Sequence, residues 1–139
     1  MADELTNIKD FPLAGASSTT PRNMPHNLPA EQNLLGAILL DNSVIERIDD
    51  RLVDAHFYDP LHGRIFTTMQ RLIERGQLAN PVTLNSFFAS SAEAEDGDVG
   101  SYLSELADGV ISITQAPDYA HTIYEAHIRR ELILIGDEV

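Results

Sequence analysis

The stretch PHNLPAEQNLLGAILLD, residues 25–41, decides how the rest of the chain is organised. Pro29 suits the first turn of a helix, where its missing N–H costs nothing, and Glu31 follows where a carboxylate meets the positive end of the helix dipole. Apolar residues then recur at helical spacing: Leu34, Leu35, Ile38 and Leu39. Gly36 costs about 1 kcal/mol inside a helix, which is explained if another helix packs closely against it. The stretch predicts a buried first helix.

The composition is that of one acidic domain. The chain has 139 residues, of which 43% are hydrophobic, and a formal net charge of −13. Nucleic-acid affinity depends on clustered Lys and Arg, whereas here Lys9 is the only lysine and the arginines are scattered. Tight direct binding to duplex DNA is therefore not expected, and the acidic surface fits a protein-binding module, or simply a soluble protein.

Several features of the sequence predict a cytoplasmic location. No apolar run approaches the roughly 20 residues that a membrane span needs, and the first residues have neither a basic nor an apolar signal region. Cysteine is absent, so disulfides and thiolate metal sites are excluded. Residues 1–24 are polar and aperiodic and are predicted to form a disordered tail, with the folded domain covering residues 25–139.

The folded part reads as a series of helices. A second helix is expected from Ser43, which has capping-box spacing to Glu46. A third is expected after Asp59 as N-cap and Pro60 in its first turn, and Gly76 suits the left-handed position beyond its end.

The later elements are shorter until the last one. Thr83 is expected to cap a short helix, Ser90–Asp98 reads as an acidic loop, and Val99 begins another short helix. The alternating run of residues 110–113 has no partner strand and reads as a connector. Pro117 then opens the longest helix, so the predicted fold is all-α.

We find no catalytic or cofactor-binding constellation in the sequence. A phosphate-binding loop with its Lys is missing, as is a nucleophile elbow, so neither ATP binding of that kind nor nucleophilic catalysis is expected. Two acid–His pairs, Asp59 with His62 and Asp118 with His121, have the i,i+3 spacing found in di-metal bundles. Both Asp residues stand where helix caps are expected, so no metal site is predicted.

Five short blocks, in order along residues 25–139, resemble one family. The blocks are Pro25-His26 with Ala30-Glu31-Gln32, Leu35-Gly36 and Leu40-Asp41; Phe57-Tyr58 with His62 and Ile65-Phe66; Val82-Thr83-Leu84; Val99-Gly100 with Tyr102-Leu103 and Leu106-Ala107; and Tyr119-Ala120 with Ile123 and Arg130-Glu131-Leu132-Ile133. In this order they are similar to the N-terminal domain of the DnaB family of bacterial replicative helicases. Gly63 is a departure, because a better helix former is expected inside the third helix.

The resemblance implies a small helical bundle followed by a long helix that begins a helical hairpin. In this family the hairpins pair between subunits as dimers, the domains form a collar on a hexamer, and the collar binds primase and influences helicase loading. ATP and Mg²⁺ belong to a following ATPase domain, and single-stranded DNA is contacted only through the hexamer. The resemblance places the partner interface at Tyr102, Tyr119, Ile123 and Ile133.

A second interpretation stays open on the sequence alone. An acidic all-α domain without catalytic residues also fits a standalone protein-interaction adaptor. A P-loop some tens of residues beyond Val139 would decide for the helicase.

Overall fold

The structure, a computed structural model, describes residues 24–48, 50–90 and 99–138. Every regular element in these ranges is helical, which confirms the all-α prediction. The helices are α1, Leu28–Leu40; α2, Pro60–Glu74; α3, Pro81–Ala89; α4, Val99–Asp108; and α5, Ala116–Glu138, with short 3-10 helices at Asn42–Glu46 and Asp54–His56. The predicted tail (residues 1–24) and acidic loop (residues 90–98) lie outside the described residues, apart from Met24 and Ser90.

Helix α1 is the centre of the bundle, in contact with α2, α4 and α5. Asn27 caps it by accepting a hydrogen bond from the Ala30 N–H at 3.0 Å. A Cβ at Gly36 would collide with the carbonyl oxygen of Leu106 in α4 and would lie 2.5 Å from Cγ2 of Val110. The close packing of a second helix on Gly36 is thereby confirmed.

Helix α2 follows the sequence prediction most closely. Asp59 caps it by accepting from the Leu61 N–H at 2.9 Å, and Gly76 beyond its end has a φ of 76°. Gly63 also has a physical reason, because a Cβ there would lie 2.7 Å from the carbonyl oxygen of Asp54. The glycine allows α2 to pack against the backbone of the 3-10 helix Asp54–His56.

The predicted second helix from Ser43 is wrong in type and in cap. The segment is the 3-10 helix Asn42–Glu46, and Asp41 caps it by accepting from the Ser43 N–H at 3.1 Å. The Ser43 hydroxyl also donates to this carboxylate, and this bond is the largest cause that lowers the pKa of Asp41. Asn42 in turn pairs with the backbone of Ala79 through bonds of 2.8 and 2.9 Å. This tie to a distant loop fixes the tight turn in place of a longer helix.

Two other helix starts differ from the prediction. Asn80, not Thr83, caps α3, and Thr83 completes a capping box by accepting from the Asn80 N–H at 3.0 Å. Helix α5 begins at Ala116, one residue before Pro117. Because a capping box has a polar residue at both ends, the sequence pattern alone does not distinguish the cap from its partner.

The core is built from the residues that the helical periods predict. Six large apolar residues at helical spacing in α1, α2 and α4 have no exposed surface: Leu35, Ile38, Ile65, Phe66, Met69 and Leu103. The connector at residues 110–113 contains no strand, as predicted. Among the described helices, none combines the length and apolar character that a membrane crossing requires.

Candidate functional site

The acid–His pairs do not form a metal centre. Within residues 24–48, 50–90 and 99–138, no group of three His, Asp or Glu side chains is arranged to hold a metal ion. Asp59 caps α2, and its carboxylate stays 3.9 Å from Nε2 of His62. His121 pairs instead with Glu125, with 3.1 Å between Nε2 and Oε2.

His62 belongs to a buried polar network that the sequence analysis missed. Its side chain and that of Glu31 are both about 1% exposed, and Nδ1 of His62 lies 2.8 Å from Oε1 of Glu31. The other carboxylate oxygen accepts from the Tyr58 N–H at 2.7 Å. A carboxylate accepts but does not donate, so the network assigns the imidazole proton to Nδ1. Glu31 thereby ties α1 to the start of α2.

Tyr102 completes the network at the protein surface. Its hydroxyl lies 2.5 Å from Nε2 of His62, and it also accepts from Nε2 of Gln32 at 3.3 Å. Burial is the largest cause that raises the pKa of Tyr102. The ring is half-buried and lines a cleft of about 190 Å³ beside Gly109. The hydroxyl of this predicted interface residue is therefore used inside the domain, and only part of its ring faces outward.

The other three predicted interface residues lie on α5, in three different environments. Tyr119 is half-buried, and its hydroxyl donates to the Gln115 side chain at 3.3 Å. Ile123 is 1% exposed and belongs to the core, whereas Ile133 is 40% exposed. Ten residues of helix separate Ile123 from Ile133 by about 15 Å along the axis. In this chain Tyr119 and Ile133 are therefore accessible, whereas Ile123 is buried.

The far end of α5 exposes a group of large aliphatic side chains. We call this group the distal apolar surface: Ile128, Leu132, Ile133, Leu134 and Ile135. Their exposed fractions run from 38% to 62%. Exposed apolar residues gathered on one element mark an interaction site more often than isolated ones do.

A second cluster lies where α5 meets the 3-10 helix Asp54–His56. The rings of His56 and His127 are 4.4 Å apart, and the edge of His56 meets Tyr124 with ring centroids 5.1 Å apart. Desolvation, with the neighbouring His127 as a lesser cause, lowers the pKa of His56. Arg130 donates to the backbone next to this cluster.

Residues of both clusters can be recognised in the sequence. Glu31, Tyr58, His62, Tyr102 and Arg130 all fall inside the blocks that carry the family resemblance. The hydrogen bonds of these residues join positions 27 to 74 apart in sequence, which helical periodicity does not register.

A helical bundle with an exposed apolar helix end is typical of an assembly domain. Residues 23–125 match the family described as DnaB-like helicase N terminal domain, and the chain belongs to this family. Replicative DNA helicase DnaB of Rickettsia prowazekii (strain Madrid E) is 36% identical over 119 residues, which are 86% of this chain. The same helicase of Geobacillus stearothermophilus is 36% identical over 109 residues, or 78% of this chain. In both comparisons the chain spans 24% of the relative's length.

Solved structures support the same assignment. The N-terminal domain of DnaB helicase from Mycobacterium tuberculosis superposes with a TM-score of 0.76 at 30% identity, covering 82% of this chain and 83% of that one. A DnaB-like replicative helicase, described with its interactions with primase, matches with a TM-score of 0.67 at 31% identity, covering 81% of this chain and 26% of that chain. The predicted family and fold are thereby confirmed.

Proposed function

We propose that this chain is the N-terminal assembly and primase-binding domain of a replicative DNA helicase. The family match and the 24% share of each relative's length support this assignment. In this proposal the domain itself is non-catalytic. ATP, Mg²⁺ and strand separation belong to an ATPase domain outside these residues, and single-stranded DNA is contacted only through the assembled hexamer.

The observation that carries the assembly role is the distal apolar surface. Ile128, Leu132 and Ile135 have i, i+4, i+7 spacing and form one stripe, whereas Ile133 lies about 130° round the helix from it. A stripe of this kind fits a second apolar helix. We infer that the end of α5 begins a helical hairpin through which two copies of the domain pair, as the first step towards a hexamer.

Self-association of the 139-residue chain tests this role. Light scattering and sedimentation at increasing concentration should reveal a reversible dimer. Leu132→Asp, on this stripe at a residue that is 62% exposed, should weaken it by about tenfold or more, because a charge is then desolvated at the contact. Val82→Asp is the matched control, since Val82 is a 75% exposed aliphatic residue on α3, away from this surface. A monomeric wild-type chain at the highest concentration would contradict the assembly role.

Primase is the second proposed partner, and a helicase loader is a third. One structural relative is described with its interactions with primase, which supports the first of these. Tyr119 is the best-placed anchor because it is half-buried at the start of α5, whereas the hydroxyl of Tyr102 is already bonded to the network. Half-buried aromatic residues are frequent hot spots of protein interfaces.

A titration of the primase C-terminal domain against the full-length helicase tests the Tyr119 contact. Tyr119→Ala should weaken binding by about 1–2 kcal/mol, and Tyr119→Phe, which keeps the ring, should change it much less. Circular dichroism checks that each variant is folded. Equal affinities for wild type and Tyr119→Ala would remove Tyr119 from the interface.

A further inference from the structure

Arg130 holds α5 at the place where this helix leaves the rest of the domain. Its Nη1 donates to the carbonyl oxygen of Pro25 at 2.8 Å, and its Nη2 donates to the carbonyl oxygen of His56 at 2.8 Å. Across residues 128–136, Arg130 is the only side chain that is not exposed. Within residues 128–136, Arg130 is therefore the last side chain of α5 that is partly buried against the body of the domain.

The two acceptors of Arg130 come from separate segments of the chain. Pro25 leads into α1, and His56 ends the 3-10 helix Asp54–His56, where a carbonyl lacks a partner within the helix. The guanidinium also lies over the ring of Tyr58, 5.5 Å from its centroid, and Tyr58 stacks on His26 at 4.1 Å. A planar fork with several donors can bond two carbonyls and cover a ring at once, which a lysine ammonium cannot do.

We propose that Arg130 is a positioning residue that sets the direction in which the distal apolar surface leaves the body. This inference rests on the proposed self-association through that surface. Residues 131–138 continue α5 with their own backbone hydrogen bonds, so the helix persists without Arg130. Without Arg130, the direction of α5 relative to α1 and to the 3-10 helix varies. Only one of these directions then allows two copies to pair. Arg130 thus contributes to assembly by preorganisation and leaves the contact surface itself unchanged.

The direction of α5 can be measured on its own, apart from association. The chain contains no cysteine, so spin labels at Glu74→Cys, on the exposed end of α2, and at Gly136→Cys are unique. A side chain at Gly136 has no neighbour within 4 Å. Pulsed electron paramagnetic resonance on the doubly labelled chain, diluted into unlabelled chain, reports the distance between the two labels within one copy. The matched control is Arg129→Ala, which removes the same charge from the adjacent, exposed position.

We expect a single narrow distance distribution in the wild type and in Arg129→Ala, and a broadened one in Arg130→Ala and Arg130→Lys. The dimer dissociation constant should rise about tenfold in Arg130→Ala and no more than about twofold in Arg129→Ala. If Arg130→Ala does not fold, the same two measurements on Arg130→Lys decide. A narrow distribution in these Arg130 variants, or an association equal to that of Arg129→Ala, overturns the inference. If Leu132→Asp lost association and the Arg130 variants did not, the assembly role would stand and Arg130 would have no part in it.

Discussion

The two halves of α5 use apolar residues in opposite ways. The first half is buried through small side chains and one large one, Ala116, Ala120, Ile123 and Ala126. The second half carries the larger aliphatic residues and leaves them exposed. In a helix that served only its own domain, the larger residues would be expected in the core, because burial free energy grows with apolar area.

The change from buried to exposed apolar residues along α5 marks where the body of the domain ends. Alanines let α5 lie close to α1, just as Gly36 lets α4 do so on another side of the same helix. Beyond Ala126 no element of the described chain covers the large residues, so their apolar area is available to another helix. The border between the two halves lies at His127 and Arg130.

The largest effect should come from truncating the buried half of α5. Ile123→Ala should lower the free energy of unfolding by about 3 kcal/mol, since it removes buried methyl groups and leaves a cavity. Ile135→Ala makes the same chemical change in the other half of the helix and should cost less than about 0.5 kcal/mol. Urea denaturation of the dilute chain measures both values. Equal losses would contradict the division of α5 into two parts.

The buried network inside the body should give the next largest effect. Glu31→Ala leaves the Tyr58 N–H and the His62 imidazole without their acceptor, and we expect a loss of about 2 kcal/mol. Tyr102→Phe removes only the hydroxyl at the surface end of the network, which should cost about 1 kcal/mol. Urea denaturation again provides the measurement. If Tyr102→Phe proved costlier than Glu31→Ala, the network would be held together from its surface end.

The smallest effect is expected from His56, which contacts His127 at the border between the two halves of α5, and it depends on pH. Because the pKa of His56 is lowered in the fold, the unfolded chain takes up this proton first as the pH falls. The contribution of His56 to stability is therefore fully present above about pH 6.5, its ordinary value, and is lost as the pH falls through the folded value.

A comparison of melting temperatures at pH 7.5 and pH 5.5 tests this effect. His56→Asn keeps an acceptor in the place of Nδ1, which accepts from the Val53 N–H at 3.1 Å, but does not titrate. The decrease in melting temperature on acidification should be smaller in this variant than in the wild type. An unchanged decrease would mean that groups other than His56 account for the whole pH dependence.

Periodic and local signals determined much of this protein from sequence alone. The i, i+3 spacing of Leu35 and Ile38, the cap at Asp59 and the left-handed Gly76 all act within a few residues, so the chain itself specifies them. The family also followed from sequence, because its five blocks are local patterns in a fixed order. The starts of α3 and α5 were placed within three residues of their actual positions.

Tertiary structure decided what depends on contacts between distant parts of the chain. Asn42 meets Ala79 and turns a predicted helix into a 3-10 turn, and Gly63 is explained only by the backbone of Asp54. The same holds for the candidate site, where Ile123 and Ile133 share one helical pattern but only Ile133 is exposed. A helical period defines an apolar face but not how far along the helix another element covers it. That coverage depends on where the neighbouring helices end, which no local stretch of sequence contains.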